Sequence, residues 1–394
     1  MKTHLRTHKI QLDPTCKQKI YFAKACGTAR HAWNWALSKW QESYSQGVSV
    51  NALQLKKEYN RLKKKEFSWV YEVTKYACQQ PFIHLRKAFD RFFSKKAKYP
   101  KYKKKGIHDS FYIGGDQVKV IDKQVRIPNL GWVRLRESLR FQGEIKGVTV
   151  SRKADRWFIS IHVETNQLPK QCENQACVGV DLGVTTFATF SNGEVIQANQ
   201  SLKRKLKHLK RVQRAYSRKV KGSQNRRKHR YKLARLHYKI ANNRNDHLHK
   251  VTTTLCTNYQ HIVIEDLGVS NMVRNKKLSR SIIDCGFYEF RRQLEYKSKL
   301  RGNTIYIANR WYGSSKTCSK CGEYKESLSL GERTYRCTKC GIEIDRDLNA
   351  ARNLEELVNT VSSTGIDACR QDGSLVMLKT SPEPAWMKQE LSPV

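Results

Sequence analysis

The spacing of hydrophobic residues changes along the chain, and each change marks a different kind of element. Residues 1–13 (MKTHLRTHKIQLD) read as one short, exposed, basic strand. From about 15 to 95 the period is helical. Phe22, Cys26, Ala29, Trp33, Ala36 and Trp40 recur at intervals of four and three. Ala52, Leu55, Tyr59 and Leu62 form a second stripe, and Leu85, Phe89 and Phe92 a third. These stripes are core faces, with Lys and Arg opposite them. Between 110 and 165 the period falls to two. Trp157, Ile159, Ile161 and Val163 alternate after a turn near Ala154–Asp155, with Val118, Val120, Val125 and Ile127 upstream. That alternation predicts the hairpins of a small barrel or sheet.

From about residue 173 strands and helices alternate, which predicts an α/β domain. ACVGVDLGVTTFATFSNGEVI reads as a buried strand, a glycine-bearing turn and a second strand, with a tight hairpin at Asn192–Gly193. Residues 199–250 are helical. A strand (HIVIED), a helix over about 286–301, a strand (NTIYIANR), a cysteine-rich insert (317–341) and a last helix from about 347 follow. Beyond Thr360 the chain is polar and broken by prolines, so a disordered tail is expected over 361–394.

Charge narrows the function classes. Lys and Arg number 76 against 34 Asp and Glu, a formal charge of +42. Such a surface repels itself unless a polyanion neutralises it, and phosphate backbones are the usual partner. The excess is concentrated: 199–250 holds 19 basic residues against the single acid Asp246. Lys95–Gly106 interleaves seven lysines with Tyr99 and Tyr102, which suits backbone neutralisation with base stacking. A membrane surface is disfavoured because no apolar run reaches transmembrane length and no signal segment opens the chain. The expectation is a soluble, cytoplasmic, nucleoid-associated protein of a prokaryotic cell.

Three carboxylates stand out. Asp181 and Glu265 each end an apolar strand, where a buried charge is costly without a counter-ion, and Asp347 opens the final helix beside free amides. Acids in such positions can converge on two Mg2+ ions about 3.5–4 Å apart, which activate water for phosphodiester hydrolysis. Taken singly, Asp181 and Asp347 read better as turn or cap residues; jointly, with this strand order, the three acids read as catalytic. The motif DLGVTT also fits an ATP-phosphate loop of the actin or Hsp70 kind, but no second Asp–Gly loop and no Walker motif accompany it. Asp345, two residues before Asp347, is a rival for the third position.

Cys318-x2-Cys321 and Cys337-x2-Cys340, fifteen residues apart, have the spacing of a closed four-cysteine structural Zn2+ site. Gly322 and Gly341 follow the pairs and let backbone amides turn toward the thiolates. Cys172-x4-Cys177 lacks a partner pair and reads as ordinary thiols; His4 and His8 likewise lack a cysteine pair.

VGVDLGVTTFAT, IVIEDLGVSNM, WYGSSKTCSKCG and YRCTKCGIEIDRDLNAARNL resemble the TnpB family, transposon-encoded RNA-guided DNA endonucleases related to type V CRISPR effectors. FFSKKAKYPKYKKKG is similar to the family's basic stretch, and Gly313 stands where many relatives have proline. The resemblance implies a multidomain α/β protein. A wedge-like β-barrel (1–13 and 107–172) would be split around a helical recognition domain (14–106). A RuvC-like, RNase H-like nuclease domain (173–316 and 341–360) would carry an inserted zinc ribbon (317–340). It further implies the triad Asp181, Glu265 and Asp347, a structured guide RNA, and a double-stranded DNA target read beside a short motif; the sequence leaves the oligomeric state open, with a monomer bound to RNA as the expectation. The alternatives are a catalytically idle RNA-guided repressor and an RNase H-like transposase.

Overall fold

The structure is a computed structural model that describes residues 3–329, 331–364 and 375–378. Two compact units divide the chain, Met1–Leu168 and Pro169–Val394.

The first unit runs β1 (His4–Gln11), α1 (Cys16–Ser45), α2 (Ala52–Lys65), α3 (Tyr76–Phe93), β2 (Ser110–Gly114), β3 (Lys119–Ile121), β4 (Gln124–Ile127), β5 (Gly131–Arg134), β6 (Glu144–Lys153) and β7 (Arg156–Thr165). Thr15 starts α1 with a capping box: the Gln18 amide donates to its hydroxyl, and the Thr15 amide donates to the Gln18 side chain. The strands form an antiparallel sheet in the order β1-β7-β6-β2 and a smaller one, β3-β4-β5. The first half of α1 lays Tyr21, Phe22, Ala25 and Cys26 on the inner face of the strands, against Ile113, Val150, Ile159 and Ile161. Its second half, Ala32 to Leu37, builds another core with Leu55, Tyr59, Phe82, Leu85 and Phe89.

Two expectations change here. The first strand is not an exposed basic strip, because the period of two turns His8 and Ile10 inward and both are buried. The His8 imidazole accepts from the Arg140 amide (3.3 Å), and burial holds its pKa low. The Tyr99 ring meets Phe89 and Phe92 edge-on at 5.6 and 5.2 Å, so it serves the helical core rather than waiting for a base. The basic stretch itself is strapped along α1: Trp33 and Asn34 side chains donate to the Lys101 and Lys103 carbonyls.

The second unit begins with an antiparallel meander, β8 (Cys177–Leu182), β9 (Thr186–Phe190) and β10 (Val195–Gln197). The basic segment forms two antiparallel-connected helices, α4 (Ser201–Ser217) and α5 (Gln224–Asn258). They are followed by β11 (His261–Glu265), α6 (Val269–Met272), α7 (Ser279–Cys285), α8 (Phe287–Arg301), β12 (Thr304–Ala308), β13 (Thr334–Arg336), β14 (Glu343–Asp345), α9 (Arg346–Thr364) and β15 (Leu375–Leu378). The sheet order is β10-β9-β8-β11-β12-β15, with β8, β11 and β12 parallel to one another. One face packs on α5 and α8 through Leu248, Leu255, Phe290 and Leu294; the other packs on α9 through Val263, Tyr306 and Leu354. α9 reaches Thr364 and β15 pairs with β12, which corrects the expectation of a disordered tail for those segments. The rest of that tail lies outside the described residues. Among the described residues, no helix is long and apolar enough to cross a membrane.

Candidate active site and metal centre

β8 and β11 run in register from Cys177–His261 to Val180–Ile264, so the next residues, Asp181 and Glu265, stand side by side at the carboxyl ends of adjacent strands. This is the edge where open α/β sheets carry their ligand sites. The third acid arrives on α9. A Cβ on Gly179 would lie 1.9 Å from the Ala351 carbonyl oxygen and 2.7 Å from the Glu355 amide. Glycine is therefore required for the backbone of β8 to touch that of α9, where Ala350 and Ala351 are themselves small and buried. The close approach sets the first turn of α9, which holds Asp347, over the end of β8.

Asp181 feels the charge of both other acids. Burial pushes the Asp181 carboxyl up to about 8, and the negative charges of Glu265 and Asp347 push the same way, against Arg346. Burial also raises Glu265, offset in part by the Ser314 hydroxyl, which donates to it at 2.5 Å. The Asp347 carboxylate lies 3.7 Å from Arg346 and 3.9 Å from Arg333. A divalent ion bound among them would relieve the repulsion that Asp181 feels from its two neighbours.

Two neighbouring acids have other employment. Asp266 is bound by Arg291 (2.8 Å) and Arg310 (2.7 Å). Asp345 accepts from the Asp347 and Leu348 amides at 2.9 and 3.0 Å, so it caps α9.

Hydrophobic periodicity gave no sign of the supports around this cluster. Buried Ser314 orients Glu265, and its carbonyl accepts from buried Asn353 of α9 at 2.7 Å. Asn353 and Asn349 both donate to the Thr317 carbonyl, and Asn349 accepts from the Ser319 amide. Together they bolt the segment after β12 to the helix carrying Asp347. The usable signal is polar residues at helical spacing (Asn349, Asn353) inside an otherwise apolar stripe.

The cysteines converge as spaced. The Sγ atoms of Cys318, Cys321, Cys337 and Cys340 all lie within 4.8 Å of one another, with Cys318–Cys340 and Cys321–Cys337 at 3.6 Å. The two halves repeat one turn: Gly322 and Gly341 donate to the Cys318 and Cys337 carbonyls, with φ +75° and +70°. Amides of Cys340 and Lys339 pull the Cys337 thiol down, toward the thiolate a metal would take. Four converging sulfurs form a complete tetrahedral donor set for a soft cation. Cys172 joins no such cluster; its thiol donates to the Thr257 carbonyl at 3.2 Å.

Comparison with known proteins gives three family models. One described as "Probable transposase" matches 159–276, "Cas12f1-like, TNB domain" matches 287–354, and "Helix-turn-helix domain" matches 1–48. Residues 4–45 in fact form β1 and the single continuous helix α1, not two helices and a turn. The chain is 36% identical to "Putative RNA-guided DNA endonuclease InsQ" of Escherichia coli (strain K12), over 92% of this chain and 94% of that one. It is also 36% identical to a "Putative RNA-guided DNA endonuclease" of Streptomyces pristinaespiralis, over 89% and 88%. Its fold is similar to the protein in "Cryo-EM structure of the Cas12f1-sgRNA-target DNA complex". That match has a TM-score of 0.55 at 15% identity, covering 90% of this chain and 99% of the other.

Proposed function

The chain belongs to the TnpB family, and from that premise we propose that it is a transposon-encoded RNA-guided DNA endonuclease whose centre is Asp181, Glu265 and Asp347. The observation that carries the proposal is the convergence of these acids, with Asp181 raised by burial and by its two neighbours, Glu265 raised by burial, and no basic partner bonded to Asp181 or Glu265 among the described contacts. The meander continued by parallel strands, with acids at their carboxyl ends, supports a RuvC-like core.

The cluster fits Mg2+, which takes few carboxylates and completes its octahedron with water and phosphate oxygens. A bound pair of divalent ions supplies a nucleophilic water of lowered pKa and neutralises the leaving oxygen. The chain's own part is to set Asp181 and Glu265 side by side at that site, to fix Glu265 through Ser314, and to hold Asp347 in the first turn of α9. The cysteine set fits structural Zn2+. RNA and duplex DNA are the polyanions that balance +42, and guide pairing supplies sequence choice, leaving charge, shape and cutting to the protein.

The test is cleavage of a guide-matched duplex by the protein purified with its RNA, in Mg2+. Cutting should require both RNA and metal. Asp181→Ala should abolish it while RNA and target binding persist. Binding without cutting by the unmodified protein would establish the idle repressor instead. Cutting without RNA would overturn guidance.

A further inference from the structure

Trp311 is 88% exposed, more than any other large hydrophobic side chain among the described residues. An exposed ring on a mobile loop would need no explanation, but this one sits on a rigid mount. Its amide donates to the Asn309 side chain (3.0 Å), and the Tyr312 amide donates to the Asn309 carbonyl (2.9 Å). The preceding residue, Arg310, holds Asp266 with its guanidinium, bonding both the carboxylate and the carbonyl. Tyr312 points its hydroxyl at the Asn353 carbonyl of α9, and Ser314 grips Glu265. The turn is thus anchored on both sides to consecutive residues at the end of β11, and the residue between those anchors is left exposed.

We propose that Trp311 is a stacking platform for a base of the DNA strand presented to the acid centre, an inference that rests on the nuclease reading of that centre. A single strand can offer a base face, which a duplex keeps within its stack, and a tryptophan face takes any base. Stacking beside Glu265 fixes the backbone next to the stacked base. The strand's phosphate then meets the acids in one register, without any sequence preference. Trp311 is a positioning residue, and its effect belongs to the cut strand alone.

The experiment compares unmodified protein, Trp311→Ala and Trp311→Phe, each loaded with guide RNA, on matched duplexes with and without an abasic nucleotide at positions flanking the cut. Single-turnover cleavage by Trp311→Ala should slow about tenfold at unchanged target affinity, and Trp311→Phe should recover most of it. An abasic nucleotide at the stacked position should slow the unmodified protein to the same degree and leave Trp311→Ala unaffected. Equal rates for all three proteins, or abasic and Trp311 effects that simply multiply, overturn the proposal. A second readout does not need cutting: a matched target carrying 5-iodouracil near the cut should crosslink to Trp311, mapped by mass spectrometry. Crosslinks elsewhere and none at Trp311 overturn the platform. A crosslink at Trp311 on a strand that is never cut supports the platform and overturns the nuclease reading.

Discussion

The acid cluster and the cysteine cluster are both donor sets for cations, yet they are built in opposite ways. The four cysteines lie within 23 residues, from 318 to 340, and two repeated turns aim their sulfurs inward. The acids come from residues 181, 265 and 347, and meet only because β8, β11 and α9 pack as they do. The cysteine set is closed and complete; in the acid set Asp181 is pressed by the like charge of its two neighbours. On our proposal a structural ion would sit in the first and a working one in the second. If this contrast is right, each cluster should fail separately.

The largest effect should follow from breaking the long-range assembly. Gly179→Val places side-chain atoms where the Ala351 carbonyl of α9 now sits. Displacing α9 should cost about 3 kcal/mol or more, at the upper end for overpacking, and should lower cleavage at least a hundredfold by moving Asp347. Zinc content should be unchanged. A variant that melts and cuts like the unmodified protein would show that β8 and α9 need not touch.

The converse lesion is smaller in reach. Cys337→Ser should release zinc and speed amide exchange across 317–341, while the sheet of β8, β11 and β12 keeps its protection. Zinc retained at full stoichiometry would contradict the four-sulfur assignment. Loss of the whole unit's protection would mean that the insert is not separable from the core.

The third prediction uses charge. In the metal-free protein Asp181 binds its proton up to about pH 8, whereas the unfolded chain releases it near 3.8. Between those values the native state holds more protons than the unfolded state, so stability falls as pH rises. Thermal melts in EDTA should decline across that window, and Asp181→Asn should flatten the decline. Because divalent ions need the ionised carboxylate, Mg2+ affinity should rise over the same range. A melt in EDTA that improves toward pH 8 would reverse the sign and remove the case for a strained acid.

Local spacing made the ribbon legible in the sequence, since a turn of four residues writes its ligands side by side. The same held for α1, whose stripe from Phe22 to Ala36 is buried as spaced. Asp181, Glu265 and Asp347 were legible as strand and helix ends, but their meeting depended on strand order, which periodicity does not encode. Ser314, Asn349 and Asn353 escaped for a related reason: their value lies in bonds to residues distant in sequence. His8 was misplaced because a basic segment reads as exposed, whereas pairing with β7 fixes which alternate residues face the core. The short helices α6 and α7 lack the length for a period to show.

The smallest effect separates Asp345 from Asp347. Both lie at the start of α9, two residues apart, and spacing alone would let either reach a metal. Their bonds differ. Asp345 spends Oδ1 on the amides of Asp347 and Leu348, while its backbone pairs with Thr334 in the ribbon's hairpin. Asp347 bonds no amide of its own helix among the described contacts, adds its charge to that felt by Asp181, and has Arg346 and Arg333 near it. Removing the Asp345 cap should cost roughly 1 kcal/mol, the usual value for such a residue. Asp345→Ala should therefore lower the melting temperature slightly and slow cutting only a few-fold, by loosening the turn that carries Asp347. Asparagine caps as well as aspartate but is a poor ligand for Mg2+. Asp345→Asn should then behave as the unmodified protein, whereas Asp347→Asn should be inactive with its guide and target still bound. Inactivity of Asp345→Asn would make Asp345 the ligand and Asp347 the support.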